Sequence, residues 1–214
     1  MNIFDHFARV MEFTREPVVV EIGAADGMDT ERYISFLKGL GRKFQYLAIE
    51  PEPNNHPKLE ASPVREDFEL HKVAIGDHHG TAPWHSTGPW PYSGSVKEPK
   101  LHLQLHADVK FQAETTVPMR TLDQICDRFS VVDWIWCDVQ GTEDLVIAGG
   151  QQAFAKTHYF YTEYYEVEAY KDNINRDEIF KRLPGKWRIV EDWNRPGYGG
   201  DALFERFIPA APTT

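Results

Sequence analysis

The chain has 214 residues, of which 42% are hydrophobic and 26% charged, and its formal net charge is −10. A chain of that length buries a sufficient core as one domain, without disulfide or metal staples. So acidic a surface argues against nucleic acid and against an anionic membrane as partners, because phosphate is held by clustered Lys and Arg.

From the N-terminus, MNIFDHFARVMEF places Ile3, Phe4, Phe7, Val10, Met11 and Phe13 at helical spacing, with Asp5, Arg9 and Glu12 between them. This predicts a short amphipathic helix within residues 1–17 that covers the sheet or a cofactor, or pairs subunits into a homo-oligomer. It lacks the apolar core and small-residue cleavage site of a secretion signal, and apolar runs elsewhere are too short for a membrane span. Val18 to Ile34, VVVEIGAADGMDTERYI, then reads as strand, turn and helix. Gly23 and Gly27 clear side chains from the turn, and the helix start offers N–H groups to a ligand. The dinucleotide spacing G-x-G-x-x-G is absent. Instead Glu21 and Asp26 flank the first glycine, with Asp29 beyond. Carboxylates so placed repel a pyrophosphate and suit a ligand carrying an ammonium group and hydroxyls. S-adenosylmethionine (SAM), with its amino-acid end, sulfonium and ribose, is such a ligand, and Glu21, Gly23, Ala24, Asp26 and Gly27 are expected around it. A tight turn in an unrelated α/β protein is the bland alternative.

Phe44 to Ile49 is the second predicted strand, ending in Glu50 and Pro51. Glu50 lies 50 − 27 = 23 residues past Gly27, about where a strand-end carboxylate grips a ribose diol, so Glu50 and Pro51 join the expected cofactor contacts. Phe68 to Ile75 reads as a third strand, closed by Gly76-Asp77, and Ala74 and Ile75 at its end are small and apolar enough for an adenine face. The stretch from about 76 to 100 is dense in Gly, Pro and rings. A long loop in a compact domain is usually functional, so Trp84, Trp90, Tyr92 and Ser93 are expected to face a small-molecule acceptor; the alternative is a surface flap. Leu101, Leu103 and Leu105 interleave with His102 and His106 as a half-exposed strand or an irregular helix face. A zinc site from that pair lacks a third ligand at recognisable spacing.

Thr121-Leu122-Asp123-Gln124 is a capping box opening a helix to about Phe129. Val131 to Val139 is the fourth strand, and a helix runs from near Thr142 to Gly149-Gly150. Tyr159 to Glu163 is the fifth strand, and Arg176 to Leu183 is a helix stopped by Pro184-Gly185. Trp187 to Glu191 and Ala202 to Phe207 face each other across DWNRPGYGGD, too close for a crossover helix, so they form an antiparallel hairpin. Its loop brings Trp193 and Tyr198, which are expected to close over the aromatic loop from the far side. The alternation predicts an α/β domain over 18–208, a mostly parallel seven-stranded sheet with helices on both faces, and a tail at 209–214. Cys126 and Cys137 stand at no metal spacing, and a reducing cytoplasm fits them best.

EIGAADG, AIEPEP, KVAIGDHHG, VPMRTLDQI and WCDVQGTEDLVIAGG follow in this order between about Val18 and Tyr165. Together they resemble the FkbM-type SAM-dependent methyltransferases. The most specific stretch, DVQGTEDLVIAGG, is similar to that family's D-V-E-G-x-E-x-x-V-L-x-G, with Gln140 in place of its glutamate. The resemblance implies a class I methyltransferase (Rossmann-like) fold. It also implies methyl transfer from SAM, usually to oxygen, on a small molecule such as a polyketide or a sugar, releasing S-adenosylhomocysteine. Two further readings stay open: N-methylation of a peptide or amine, and a SAM-binding protein without turnover, which Gln140 makes thinkable. An NAD-linked reductase ranks last on the glycine spacing.

Asp138 and Glu163 end neighbouring predicted strands, so both carboxylates are expected in one crevice. Methyl transfer from a sulfonium is an in-line displacement that needs an aligned acceptor and a place for its proton. One carboxylate could be the general base, with Asp138 also touching the cofactor. Alternatively, Asp138 and Glu163 could hold Mg²⁺ or another divalent cation that lowers the acceptor's pKa, as in catechol-type methyltransferases. Asp138 could otherwise cap the helix near Thr142. Among the histidines, His85 is the rival base, since it precedes the aromatic loop and imidazole titrates near neutrality.

Overall fold

The computed structural model describes residues 1–207, so the predicted tail lies outside the described residues. In chain order the elements are α1 (Ile3–Phe13), β1 (Val18–Ile22), α2 (Met28–Gly39), β2 (Gln45–Ile49), α3 (His56–Glu60), β3 (Glu69–His71), β4 (Ala74–Ile75), β5 (Gly80–Trp84), α4 (His102–Leu105), β6 (Thr115–Arg120), α5 (Leu122–Cys126), β7 (Val132–Cys137), α6 (Glu143–Ala148), α7 (Gln151–Ala155), β8 (Thr157–Tyr165), α8 (Arg176–Arg182), β9 (Trp187–Arg195) and β10 (Gly199–Arg206). Seven strands form the main sheet in the order β3-β2-β1-β7-β8-β10-β9. β10 runs antiparallel to both its neighbours, and the other pairings are parallel.

Each central strand is buried on both faces, as a covered parallel sheet requires. Val20 and Ile22 of β1, Leu47 and Ile49 of β2, and Ile135 and Cys137 of β7 pack on one side with Leu122, Val146, Phe154 and Ile179 from α5 to α8. Val19, Tyr46, Ala48 and Trp134 pack on the other with Ile34 and Leu37 of α2. The period of two along each strand feeds both cores. α1 opens on a capping box between Asn2 and Asp5 and spends its apolar stripe on this second face. Phe7 meets Tyr33 and Trp134 edge-on, and Met11 is fully buried. The helix therefore covers the sheet, and Phe13 at its end is left 85% exposed.

Two expected elements come out differently. The third predicted strand is two strands in two sheets: β3 pairs with β2 at the edge of the main sheet, whereas β4 joins a separate three-stranded sheet in the order β4-β6-β5. The chain leaves the main sheet at Lys72-Val73, and the small sheet joins β4, from the end of the predicted third strand, to β5 from the stretch that reads as loop and to β6 beyond it. The terminal hairpin is longer and its turn tighter than expected, because β9 and β10 continue through Arg195 and Gly199 with Gly197 at φ 79° in the turn.

Candidate active site

The carboxyl ends of β1, β2 and β7 meet where the strand order reverses, and there the Gly23 turn closes on its neighbours. Gly23 is at φ 91°, and a Cβ on it would lie 1.9 Å from the Asp138 carbonyl oxygen. Its bareness thus serves the approach of β1 to β7. The N–H groups of Gly23 and Ala24 donate to the Ile49 carbonyl, and that of Ala25 donates to Glu50 Oε2 at 2.7 Å. Glu50 Oε1 accepts from the Glu52 N–H, also at 2.7 Å. Glu50 is 4% exposed, and burial pushes its pKa up to about 7 against those two backbone donors.

A cleft opens above this junction. Its walls include Gly23, Ala25, Glu50, Pro51, Ala74, Ile75 and Asp138, together with Glu52, Trp84, Tyr92, Val96 and Gln140. Six of the ten residues expected around the cofactor are therefore brought together: Gly23, Glu50, Pro51, Ala74, Ile75 and Asp138. Ala24, Asp26 and Gly27 stand behind the wall. Gly27 precedes α2 at φ 85°, where a Cβ would press on Leu59 at 2.9 Å. Glu21 is turned away from the cleft altogether. It is 2% exposed and accepts the Thr30 hydroxyl at 2.5 Å and the Tyr46 hydroxyl at 2.9 Å. Burial raises its pKa to about 8, so it bolts α2 and β2 to β1 and leaves no acceptor in the cleft.

The aromatic segment forms one wall rather than a free loop. Trp84 is buried and donates its indole N–H to Glu52 at 2.9 Å. Tyr92 donates to Asp26 at 2.9 Å, and the Pro91 carbonyl accepts from Asn55 at 3.2 Å. The Ser93 carbonyl accepts the Tyr170 hydroxyl at 3.1 Å. Asp26, expected against the cofactor, is the anchor of a strap along the cleft through Tyr92. Trp90 stands against Tyr92 edge-on and is 48% exposed.

Asp138 and Glu163 are joined by one side chain. Gln140 Nε2 donates to Asp138 Oδ1 at 2.6 Å and to Glu163 Oε2 at 3.0 Å. Burial raises the pKa of both acids, and for Asp138 the neighbouring Glu163 adds to the rise. Glu163 lies within β8, two residues short of its end, opposite Asp201 on β10, and Arg195 donates to its Oε1 at 3.1 Å. Asp138 does not cap α6, whose N-cap position is Thr142. Sequence reasoning missed the tyrosines around this pair: the Tyr165 hydroxyl lies 2.8 Å from Glu163 Oε2 and 3.0 Å from Gln140 Oε1, with one hydrogen for the two acceptors, and the Tyr170 hydroxyl lies 2.9 Å from Gln140 Oε1. Tyr165 could have been found, since it is two residues from Glu163 on the same strand and shares its face.

Other expected site residues lie apart. His85 bridges to Ser95 through the backbone and pairs with Glu114 at 3.5 Å, on a separate hollow with Lys97 and Asp144. Trp193 is in β9, donating to the Met1 carbonyl at 3.1 Å with its ring against His6. Tyr198 packs on Tyr165 and accepts or donates at His106 Nε2, 3.0 Å away. His102 is buried with Nδ1 unpartnered, and burial lowers its pKa to about 4. Among the described residues no group of three or more His, Cys, Asp or Glu side chains is placed to hold a metal, and the Gln140 amide lies between Asp138 and Glu163.

This strand order, with its one antiparallel strand and a cleft at the switch point, is the class I methyltransferase architecture. Residues 21–192 match the methyltransferase FkbM domain, and the chain belongs to that family. It is 34% identical over 197 residues to the 2-O-methyltransferase NoeI of Sinorhizobium fredii (strain NBRC 101917 / NGR234), covering 88% of this chain and 79% of that protein. It also superposes on the crystal structure of methyltransferase FkbM from Methylobacillus flagellatus KT with a TM-score of 0.57 at 17% identity. That match covers 90% of this chain and 44% of the other, so the chain spans less than half of that relative. The family brings SAM as methyl donor. Among the described residues no helix is long and apolar enough to cross a membrane.

Proposed function

We propose that the protein transfers a methyl group from SAM to a hydroxyl of a small molecule, such as a polyketide, a sugar or another natural product. One observation carries this reading: the cleft at the strand ends is lined by Glu50, Glu52 and Asp138 and by no Lys, Arg or His. Such a lining favours a ligand that is cationic where it meets the protein and disfavours the pyrophosphate of a dinucleotide. Glu50 would hold the ribose diol through the lone pairs its two backbone donors leave free. Val73, Ala74 and Ile75 would cover the adenine, with Trp84 opposite and the Tyr92 strap closing the mouth. SAM supplies an activated methyl on a sulfonium. The acceptor oxygen attacks that carbon, the C–S bond breaks towards sulfur, S-adenosylhomocysteine leaves, and the acceptor's proton passes to Asp138 or Glu163. Oxygen is favoured over nitrogen by the similarity to a 2-O-methyltransferase.

The unit doing this is one domain from residue 18 onward, with α1 as part of its second core. The net charge of −10 supports a small-molecule partner over nucleic acid, and two buried free cysteines suit a reducing cytoplasm. Thermal-shift measurements with SAM, S-adenosylhomocysteine and NAD test the cofactor, followed by methyl-labelled SAM with a panel of polyols, sugars, polyketides and amines. Stabilisation by both SAM species with label on a hydroxyl is the expected result; no shift with either sinks the reading, and label on amines alone moves it to N-methylation.

A further inference from the structure

The side-chain amide of Gln140 has a partner at every hydrogen-bonding position. Nε2 faces Asp138 Oδ1 at 2.6 Å and Glu163 Oε2 at 3.0 Å, while Oε1 faces the hydroxyls of Tyr165 at 3.0 Å and Tyr170 at 2.9 Å. An amide has two N–H donors and two lone pairs, so every position has a neighbour; each tyrosine hydroxyl carries a single hydrogen, which Tyr165 shares between Gln140 Oε1 and Glu163 Oε2 and Tyr170 between Gln140 Oε1 and the Ser93 carbonyl. Its orientation is also dictated: turned over, Oε1 would face two carboxylates, acceptor against acceptor. The backbone is held as firmly. Gln140 sits at φ 55°, followed by Gly141 at φ 91°, and Ser95 donates its hydroxyl to the Gln140 carbonyl at 2.8 Å. A non-glycine residue persists in the left-handed region only where its surroundings fix it, and such positions gather at functional sites. Tyr170 continues to the Ser93 carbonyl at 3.1 Å, so the amide ties the carboxylate pair to the strap over the cleft.

We propose that Gln140 is a positioning residue of the transfer site. Its amide holds Asp138 and Glu163 side by side as two acceptors, doing with two N–H groups what a bridging cation does for a carboxylate pair. Asp138 Oδ2, which takes no hydrogen bond among the described residues, is thereby left for the acceptor. An ionised carboxylate in its place brings no donor; an apolar side chain would leave Asp138 Oδ1 without its partner and remove one bond from Glu163 and from each tyrosine. The groups that face the pair are Gln140, Tyr165, Tyr170, Arg195 and Asp201, with Glu143 behind.

The inference rests on the proposed function only for what the pair does, and its test separates the two. Q140E, Q140L, E163Q and the double variant Q140E/E163Q are compared with wild type in three measurements: SAM affinity by calorimetry, melting temperature, and kcat and KM on whichever acceptors of the panel wild type methylates. Q140E keeps the size of the side chain and an acceptor for the tyrosines, and replaces the two donors by a third acidic group. SAM affinity is expected to stay within about threefold. The kcat of Q140E and Q140L is expected to fall about 100-fold or more, with a far smaller change in KM, because proton-accepting groups contribute about 10²–10⁴-fold. Q140E should also melt about 5 °C lower or more, and E163Q added to it should restore most of that loss by putting an amide donor back opposite a carboxylate. Two results overturn the proposal: a Q140E kcat within about threefold of wild type, or a melting loss in Q140E that E163Q leaves untouched. If wild type methylates nothing in the panel, the proposed function fails while the melting comparison still judges the clamp.

Discussion

Replacing Glu21 with glutamine tests whether the acid that opens the glycine turn is a frame element instead of a cofactor contact. Glu21 is 2% exposed and bonded only to Thr30 and Tyr46, and burial raises its pKa from 4.5 to about 8. Between those values the folded protein holds a proton that the unfolded chain has released, so stability falls as pH rises. The contribution is fully present below pH 4.5 and is gone above about pH 8. At about 1.4 kcal/mol per unit the difference is at most about 5 kcal/mol, and about 3 is a sober figure for a group with two hydroxyl donors. For a chain of this size about 3 kcal/mol is roughly 6–12 °C in melting temperature. Glutamine keeps an acceptor for Thr30 and Tyr46 and cannot ionise. Scanning calorimetry at intervals from pH 5 to pH 9 should therefore show E21Q close to wild type at the acid end and several degrees above it at the alkaline end, with SAM affinity unchanged within about threefold. Melting curves that fall in parallel, or loss of SAM binding in E21Q, would refute the assignment of Glu21 to the frame.

Glu50→Ala should raise the SAM dissociation constant about 10- to 100-fold, the value of one or two charge-assisted bonds, read by calorimetry. Since burial holds Glu50 near pKa 7, SAM binding by wild type should weaken as pH falls through about 7, and E50Q should lose that dependence. Asp138→Ala and Glu163→Ala should each lower turnover about 10²- to 10⁴-fold while SAM binding largely survives, and the double variant should be little worse than either, because the two act through one amide; full activity in both single variants would remove the pair from the active site. Tyr92→Phe deletes the hydroxyl that donates to Asp26 at 2.9 Å, an exposed bond worth about 0.5–1 kcal/mol, so SAM should leave about two- to fivefold faster in stopped-flow displacement. Gly23→Ala sets a methyl 1.9 Å from the Asp138 carbonyl and should cost more than about 3 kcal/mol, read as loss of soluble folded protein or a large drop in melting temperature.

What was legible in the sequence was what one strand reveals by itself. Period, caps and punctuation located β1, β2, β7, α5 and the terminal hairpin, and the place of Glu50 at a strand end fixed its position in the cleft. What was not legible depends on which strand lies beside which. Glu21 and Glu50 look alike as acids at strand ends, yet Tyr46 on the neighbouring strand, bonding at 2.9 Å, draws Glu21 behind the sheet. β4 and β6 pair through Ala74 with Met119 and Ile75 with Arg120, a contact across more than forty residues that no local pattern announces. His85 follows the small sheet to the other side of the strap for the same reason. Gln140 read as a departure from the family's motif, and only its four partners from β7, β8 and the Tyr170 segment reveal an amide with a task.

The acids at the switch point therefore divide by how each is neutralised, and the division bears on the choice of ligand. Glu21 is held by two hydroxyls, Glu50 by two backbone N–H groups, and Glu163 by Arg195, Tyr165 and the Gln140 amide. Glu52 is held by the Trp84 indole and Asn54. Glu50, Glu52 and Asp138 face the cleft, and among the described residues none of them is paired with a protein cation. Burial makes the ionised forms of Glu50 and Asp138 costly. On the proposed reading a bound cation would offset part of that acidic field and an anion would add to it, which favours a sulfonium with an ammonium tail over a diphosphate. After transfer the product carries no sulfonium charge, and the attraction that held the donor is weaker for what must leave.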